Sequence, residues 1–249
     1  MEVQSFIRVL EEHYTVFRAL FAESVVNPSE EVIHCMRREL KYIFAMIHFI
    51  EELSPMNDLL SITNPLKRIA KKSGKVRDRQ IILNLMETHP QVINTPLLYE
   101  INVTILTKQQ KYSEFAQEIE INKFIFGNLS IDPISFNREL FADYCNRMEH
   151  RIAEMLARGI ENREYWHKAR HISKRNFHIM NMANRLYPNC FSQDQIQEMR
   201  QTEKLIGKWH DLVVITDFCD SHQIALSEAH LQEFELSENQ IFSKAILKN

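Results

Sequence analysis

Glycine and proline are scarce in this chain, at four and seven of 249 residues. They are the usual punctuation of strands and tight turns, so their shortage argues against a fold of many short strands. Cysteine is sparse too. Cys35, Cys145, Cys190 and Cys219 form no C-x-x-C pair, which offers neither a zinc-site spacing nor a disulfide framework and points to free thiols in a reducing compartment. No apolar run is long enough to cross a bilayer, and the longest, around 42–50, is interrupted by His48. The opening Met1-Glu2-Val3-Gln4-Ser5 is neither basic nor followed by an apolar run, so a cytoplasmic location with no membrane partner is expected. Positive charge is not in excess either: 30 Lys and Arg stand against 33 Asp and Glu, for a formal net charge of −3. A nucleic-acid-binding domain is normally net basic, so nucleic acid is not an expected partner. Any anion site must be a local concentration of Lys and Arg.

What the chain has in plenty is Leu, Ile, Met, Glu, Lys and Arg, a composition that favours long helices over a sizeable core. Apolar residues at helical spacing (Phe6, Val9, Leu10, Tyr14, Phe17, Leu20, Phe21) predict a first helix over about 3–25. Asn27-Pro28-Ser29-Glu30 reads as the next start signal, with Asn27 as cap and Pro28 in the first turn, for a helix to about Leu53. Pro65 is expected to open a short basic helix over 66–72, Gly74 to end or kink it, and 76–87 to continue helical. Residues 97–126 read as one long amphipathic helix or two shorter ones; Ile101 to Ile105 alternates like a strand, but its helical neighbours decide for helix. Gly127 to Pro133 is a plausible boundary. Beyond it come helices over 134–158, 162–186, 193–206 and 208–220, with stops at Gly159 and Pro188. The polar tail from Ser221 has no evident counterpart in the first half.

The most informative pattern is a repeat. His34-x-x-Arg37-x-x-x-Lys41 returns as His167-x-x-Arg170-x-x-x-Lys174, every member 133 positions later. The same offset carries Lys67 onto Arg200, Lys71 onto Lys204, Gly74 onto Gly207, Lys75 onto Lys208 and Asp78 onto Asp211. Chance matches do not hold one register over such a span while preserving charge. The chain reads as two copies of one helical unit, residues 1–130 and 131–249, together forming one all-α domain about a pseudo-two-fold axis.

What the copies share is cationic. At about 100° per residue, positions 34, 37 and 41 fall within an arc of about 60°, as do 167, 170 and 174, with Arg175 widening the second stripe. Lys67 and Lys71 are one turn apart, as are Arg200 and Lys204, a spacing at which like charges repel by a few tenths of a kcal/mol. A repeated anion-binding cradle offsets that repulsion, Arg serving as a fork and Lys as a mobile charge. Replacing these groups is expected to cost the core nothing. The plainer reading, a solvated helix face, suits any one Lys but not a set held in register. Asp78 and Asp211, read as lying near helix starts, are expected to complement the helix dipole and tether nearby basic side chains.

His-x-x-Arg-x-x-x-Lys, a basic helix, Gly and an (Arg/His)-Asp pair, all twice over, resembles the CHAD domain, the conserved-histidine α-helical domain. The segments that carry the resemblance are 34–41 with Ser73-Gly74-Lys75-Val76-Arg77-Asp78, and 167–175 with Ile206-Gly207-Lys208-Trp209-His210-Asp211. The resemblance implies two helical bundles about a basic groove or channel that binds inorganic polyphosphate, association with polyphosphate granules, and no catalysis by the domain itself. It marks as polyphosphate-binding His34, Arg37, Lys41, Lys67, Lys71, Lys75 and Arg77 in the first copy. The second copy supplies His167, Arg170, Lys174, Arg175, Arg200, Lys204 and Lys208. Tyr42, Phe44 and Phe177 stand where the family often has further Arg. No cofactor and no metal is expected. Two other readings compete. His167, His210-Asp211, Asp217 and Asp220 loosely resemble a helical HD-type metal phosphohydrolase, although Arg77 replaces His210 in the first copy. A helical protein-interaction module with incidental basic stripes is the other.

Overall fold

The computed structural model describes residues 3–53, 59–88, 95–121, 137–223, 225–226 and 228–247. Among these residues there are eight α-helices and no strand: α1 (Val3–Val26), α2 (Glu30–Leu53), α3 (Leu59–Thr88), α4 (Thr95–Gln117), α5 (Arg138–Arg158), α6 (Glu164–Leu186), α7 (Gln193–Ser221) and α8 (Glu228–Leu247). The chain divides into two compact units, residues 1–135 and 136–249. The helices of the first begin at 3, 30, 59 and 95, and those of the second at 138, 164, 193 and 228, which is 133 to 135 positions later in each case. The boundary expected at 127–133 lies outside the described residues.

Each unit is a ring of four helices. In the first, α1 packs on α2, α2 on α3, α3 on α4, and α4 closes back onto α1. Its core is built from rows three and four residues apart: Phe6, Leu10, Phe17 and Phe21 of α1; Ile33, Met36, Leu40, Ile43 and Ile47 of α2; Leu66, Ile69 and Val76 of α3. Partners run in opposite directions, as Phe6 stacking on Phe49 and His13 bonding Glu39 show. The second unit repeats the plan, with α5, α6, α7 and α8 in contact in turn and α8 against α5. Two helices of this unit carry side-chain caps. Asn137 accepts from Leu140 N at 2.8 Å to open α5, and Ser192 with Gln195 forms a capping box that opens α7.

The structure corrects several sequence expectations, and one physical reason covers most of them. Local punctuation yields to a continuous buried row. Pro65 sits seven residues into α3 and Gly74 within it, yet the helix runs unbroken because Ile62, Leu66, Ile69, Ser73, Val76 and Gln80 keep one face buried throughout. Gly207 is likewise interior to a single α7, whose buried face holds Met199, Thr202, Ile206, Trp209 and Leu212. Asp78 and Asp211 therefore lie deep inside long helices, where a first-turn dipole contact does not exist. Ser29, not Asn27, caps α2 by accepting from Val32 N, while Asn27 N still closes the last turn of α1 on Glu23 O. α4 ends at Gln117 with i→i−3 bonds from Glu118 and Ile119, the expected helical stretch at 122–126 lies outside the described residues, and the 101–105 stretch is helical as expected. Finally, the polar tail is a helix. α8 begins 133 positions after α4 and buries His230, Ser237, Ile241 and Ala245. Its buried residues are too widely spaced and too polar to stand out as an apolar stripe.

Gly159 ends α5 in ordinary right-handed backbone (φ −65°), so its role is space rather than conformation. A Cβ there would lie 1.9 Å from Cδ1 of Trp166, whose buried indole donates to Leu156 O at 2.9 Å. At Gly207 an added Cβ would meet nothing within 4 Å. Gly159→Ala is expected to lower unfolding free energy by about 1–3 kcal/mol through overpacking. Gly207→Ala should raise it by roughly 0.5–1 kcal/mol by removing helix-interior glycine. Urea titrations of the two variants, read as midpoints at constant m, check the opposite signs.

Candidate anion-binding faces

In the first unit, the residues marked by the sequence pattern meet where α2 packs on α3. Arg37 projects from α2 and lays its guanidinium on α3. Its Nη1 donates to Ala70 O at 2.5 Å and to Ser73 Oγ at 3.1 Å. Gly74 leaves room for it: a Cβ there would stand 3.2 Å from the same nitrogen, a tight contact. One turn on, Arg77 pairs with Glu30 at 2.5 Å, and Glu30 also accepts from Asn84 at 2.8 Å. Glu30, Glu31, His34 and Arg77 line a shallow depression beside this pair. Partial burial lowers the His34 pKa, and the positive charges of Arg77, Lys41 and Arg38 lower it further.

The second unit closes the same seam differently. The chain's two tryptophans pack edge to face across it, Trp166 of α6 on Trp209 of α7, with centroids 5.2 Å apart, a pair worth roughly 0.5–1.5 kcal/mol beyond its buried area. His167 lies against this pair, its ring 4.8 Å from that of Trp209 and 5.1 Å from that of His210. Lys174 reaches Glu203 across the seam at 3.6 Å. No side chain occupies the space above Gly207 as Arg37 does that above Gly74. Three imidazoles share the face with Arg170 and Lys174. Burial first, and then Arg170, lower the pKa of all three; for His167 the carboxylates of Glu164 and Asp217 oppose this. His210 is pushed down to about 3. Its Nδ1 is buried and takes no hydrogen bond from any described residue.

The structure thus brings together His34, Arg37, Lys41 and Arg77 in one unit, and His167, Arg170 and Lys174 in the other. It does not bring the remaining marked residues into these seams. Lys67, Lys71 and Lys75 stand exposed in a row about 180° around α3 from its buried face, and Arg200, Lys204 and Lys208 do the same on α7. Among the described residues, the first five of these six take no ion pair, and Lys208 pairs with Glu233 at 2.8 Å. Arg175 is half-buried and lies off the arc of 167, 170 and 174. His171 and His210 lie on this face although the sequence pattern did not mark them as anion-binding; the offset pairs His210 with the marked Arg77, whereas Arg38, the counterpart of His171, is unmarked. Of the hydrolase candidates, His167 and His210 stand close together, but among the described residues no three of His, Cys, Asp or Glu are grouped to hold a metal ion. No helix among them is long and apolar enough to cross a membrane.

Two similar four-helix units, each presenting cations on its second and third helices, define an all-helical protein. The chain belongs to the CHAD-domain family, whose pattern it matches over residues 8–220. Its fold is that of the solved CHAD domain from the plant Ricinus communis, with a TM-score of 0.70 at 13% identity, covering 98% of this chain and 86% of the other. No curated protein matches it. The match to the solved structure extends the likeness beyond the family's sequence pattern, which stops before α8.

Two outcomes follow from the seams. Arg37→Ala should lower unfolding free energy by about 1–3 kcal/mol, because it strips a charged donor from Ala70 O and Ser73; this reverses the expectation that such a change is neutral, and a denaturant titration checks it. The imidazoles give acid sensitivity. His210 titrates near 3 in the folded chain against an ordinary 6.5, so below pH 6.5 the unfolded chain binds more protons and stability falls as pH drops toward 3. Urea midpoints between pH 8 and pH 4 should show this loss, and His210→Gln should reduce it.

Proposed function

We propose that this CHAD protein binds inorganic polyphosphate, without catalysing its turnover, along the cationic faces of its two units. The observation that carries the reading is the pair of exposed rows Lys67/Lys71/Lys75 and Arg200/Lys204/Lys208. They hold the same register 133 positions apart, and five of their six members take no ion pair among the described residues. Each row spans two helical turns, about 12 Å, a line of charge suited to an extended polyanion rather than to a compact one. The seams behind them add His34, Lys41 and Arg77, and His167, Arg170 and Lys174. Membership of the CHAD family supports polyphosphate over other anions, and a cytoplasmic place at polyphosphate granules accords with it.

Binding of this kind is electrostatic and releases condensed counterions, so affinity falls linearly with salt on logarithmic axes. Titration with polyphosphates of several lengths, with ATP and duplex DNA as controls, should show affinity rising with chain length and a steep salt slope. Changing Lys67, Lys71 and Lys75 together to Gln should reduce that slope by roughly 2, at about 0.7 for each lost phosphate contact by analogy with single-stranded nucleic acid. Arg200→Gln with Lys204→Gln should reduce it as well. Binding that ignores salt and chain length, or that needs only one row, would overturn the reading.

A further inference from the structure

The two units answer the same positions with different chemistry. At the four seam positions 34, 38, 77 and 30, the first unit holds His34, Arg38, Arg77 and Glu30, and the second, 133 residues on, holds His167, His171, His210 and Arg163. Two arginines have become histidines. The carboxylate that pairs with Arg77 has become an arginine, and this Arg163 bonds Glu238 of α8 at 2.8 Å. Permanent charge with a built-in counterion is thus replaced by titratable groups without that counterion.

We propose that the α6–α7 face is a proton-linked anion site, in which His167, His171 and His210 each take a proton from solvent as an oligophosphate arrives and meet it as imidazolium. This rests on the anion-binding reading above and adds to it which residues respond to pH. The geometry supplies the cluster. The His167 and His210 rings are 5.1 Å apart, and His171 follows His167 by about one turn on α6. The groups facing them are Arg170, Lys174, Arg175 and Glu164 from α6, and Asp217 and Trp209 from α7, with Glu203 of α7 paired to Lys174. From α8, Glu233 and Glu238 are engaged with Lys208, Arg163 and Trp209. Burial comes first in lowering the pKa of all three imidazoles; Arg170 lowers all three further, Lys174 those of His171 and His210, and Arg175 that of His171. A phosphate chain reverses the sign of the local field, and a protonated imidazole gains a second donor nitrogen where a neutral one has a single donor. The buried Nδ1 of His210 is a polar atom with no described partner. The first unit has one imidazole in place of three, and its Arg38 and Arg77 stay charged throughout.

The test is calorimetric titration of the full chain with long polyphosphate, whose terminal groups are too few to contribute protons of their own. Titrations at pH 6, 7 and 8 in buffers of different ionisation enthalpy yield the number of protons taken up. Net uptake of one or more protons per bound segment is expected, with affinity rising as pH falls by up to about tenfold per pH unit for each fully linked proton. His171→Arg with His210→Arg restores the first unit's residues and should flatten the pH profile. His171→Asn with His210→Gln should also abolish most of the uptake while weakening binding, and it serves if the arginine pair does not fold. Tight, salt-dependent binding by the unaltered chain with no proton uptake would overturn this inference and leave the anion-binding reading standing. No binding at any pH would overturn both.

Discussion

A helix that carries arginine on its packed edge must give the guanidinium acceptors, or the edge cannot close. In the first unit that requirement is met by Ala70 O, Ser73 Oγ and the gap over Gly74, and much else depends on it. The bond brings α3 against α2, which sets Arg77 beside Glu30 and places His34 in the field of Arg77 and Lys41. It also leaves the opposite face of α3 to Lys67, Lys71 and Lys75. The repeated spacing of these groups along the chain is thus the visible part of a packing arrangement, in which Arg37 is a structural tie.

The second unit reaches the same arrangement of helices by another route. Where Arg37 lies on α3, the second seam is closed by an edge-to-face indole pair, a contact that needs no charge and leaves the cations of α6 among imidazoles. A seam held by apolar area tolerates titratable groups beside it, because its closure does not depend on their charge. A seam held by a guanidinium does not have that freedom. The departures from exact repetition are therefore not noise on a duplicated pattern. They divide the cationic positions into those fixed by protein acceptors and those facing solvent, and the division differs between the units.

Carboxylates explain how a chain of net charge −3 displays cationic faces at all. Glu30, Glu203, Glu233 and Glu238 each hold a basic side chain, and they sit on helix edges or on α8 rather than among the exposed rows.

Periodicity and register are properties of the linear chain, so the all-helical class, most helix starts, the 133-residue repeat and the shared charge pattern could be read from the sequence alone. Proline, glycine and capping signals are local as well, but they are weak, a few kcal/mol at most. Burial of a continuous row outweighs them, which is why α3 runs through Pro65 and Gly74 and why the polar tail folds as α8. Only tertiary structure could decide which cations are held and which stand exposed, because that depends on groups some forty residues apart: Arg37 with Ser73, Arg77 with Glu30, His167 with His210. The same holds for the charge on the imidazoles. A histidine's residue type places its titration near neutrality, but its neighbours and its burial set the value, and those exist only once α6 and α7 have packed.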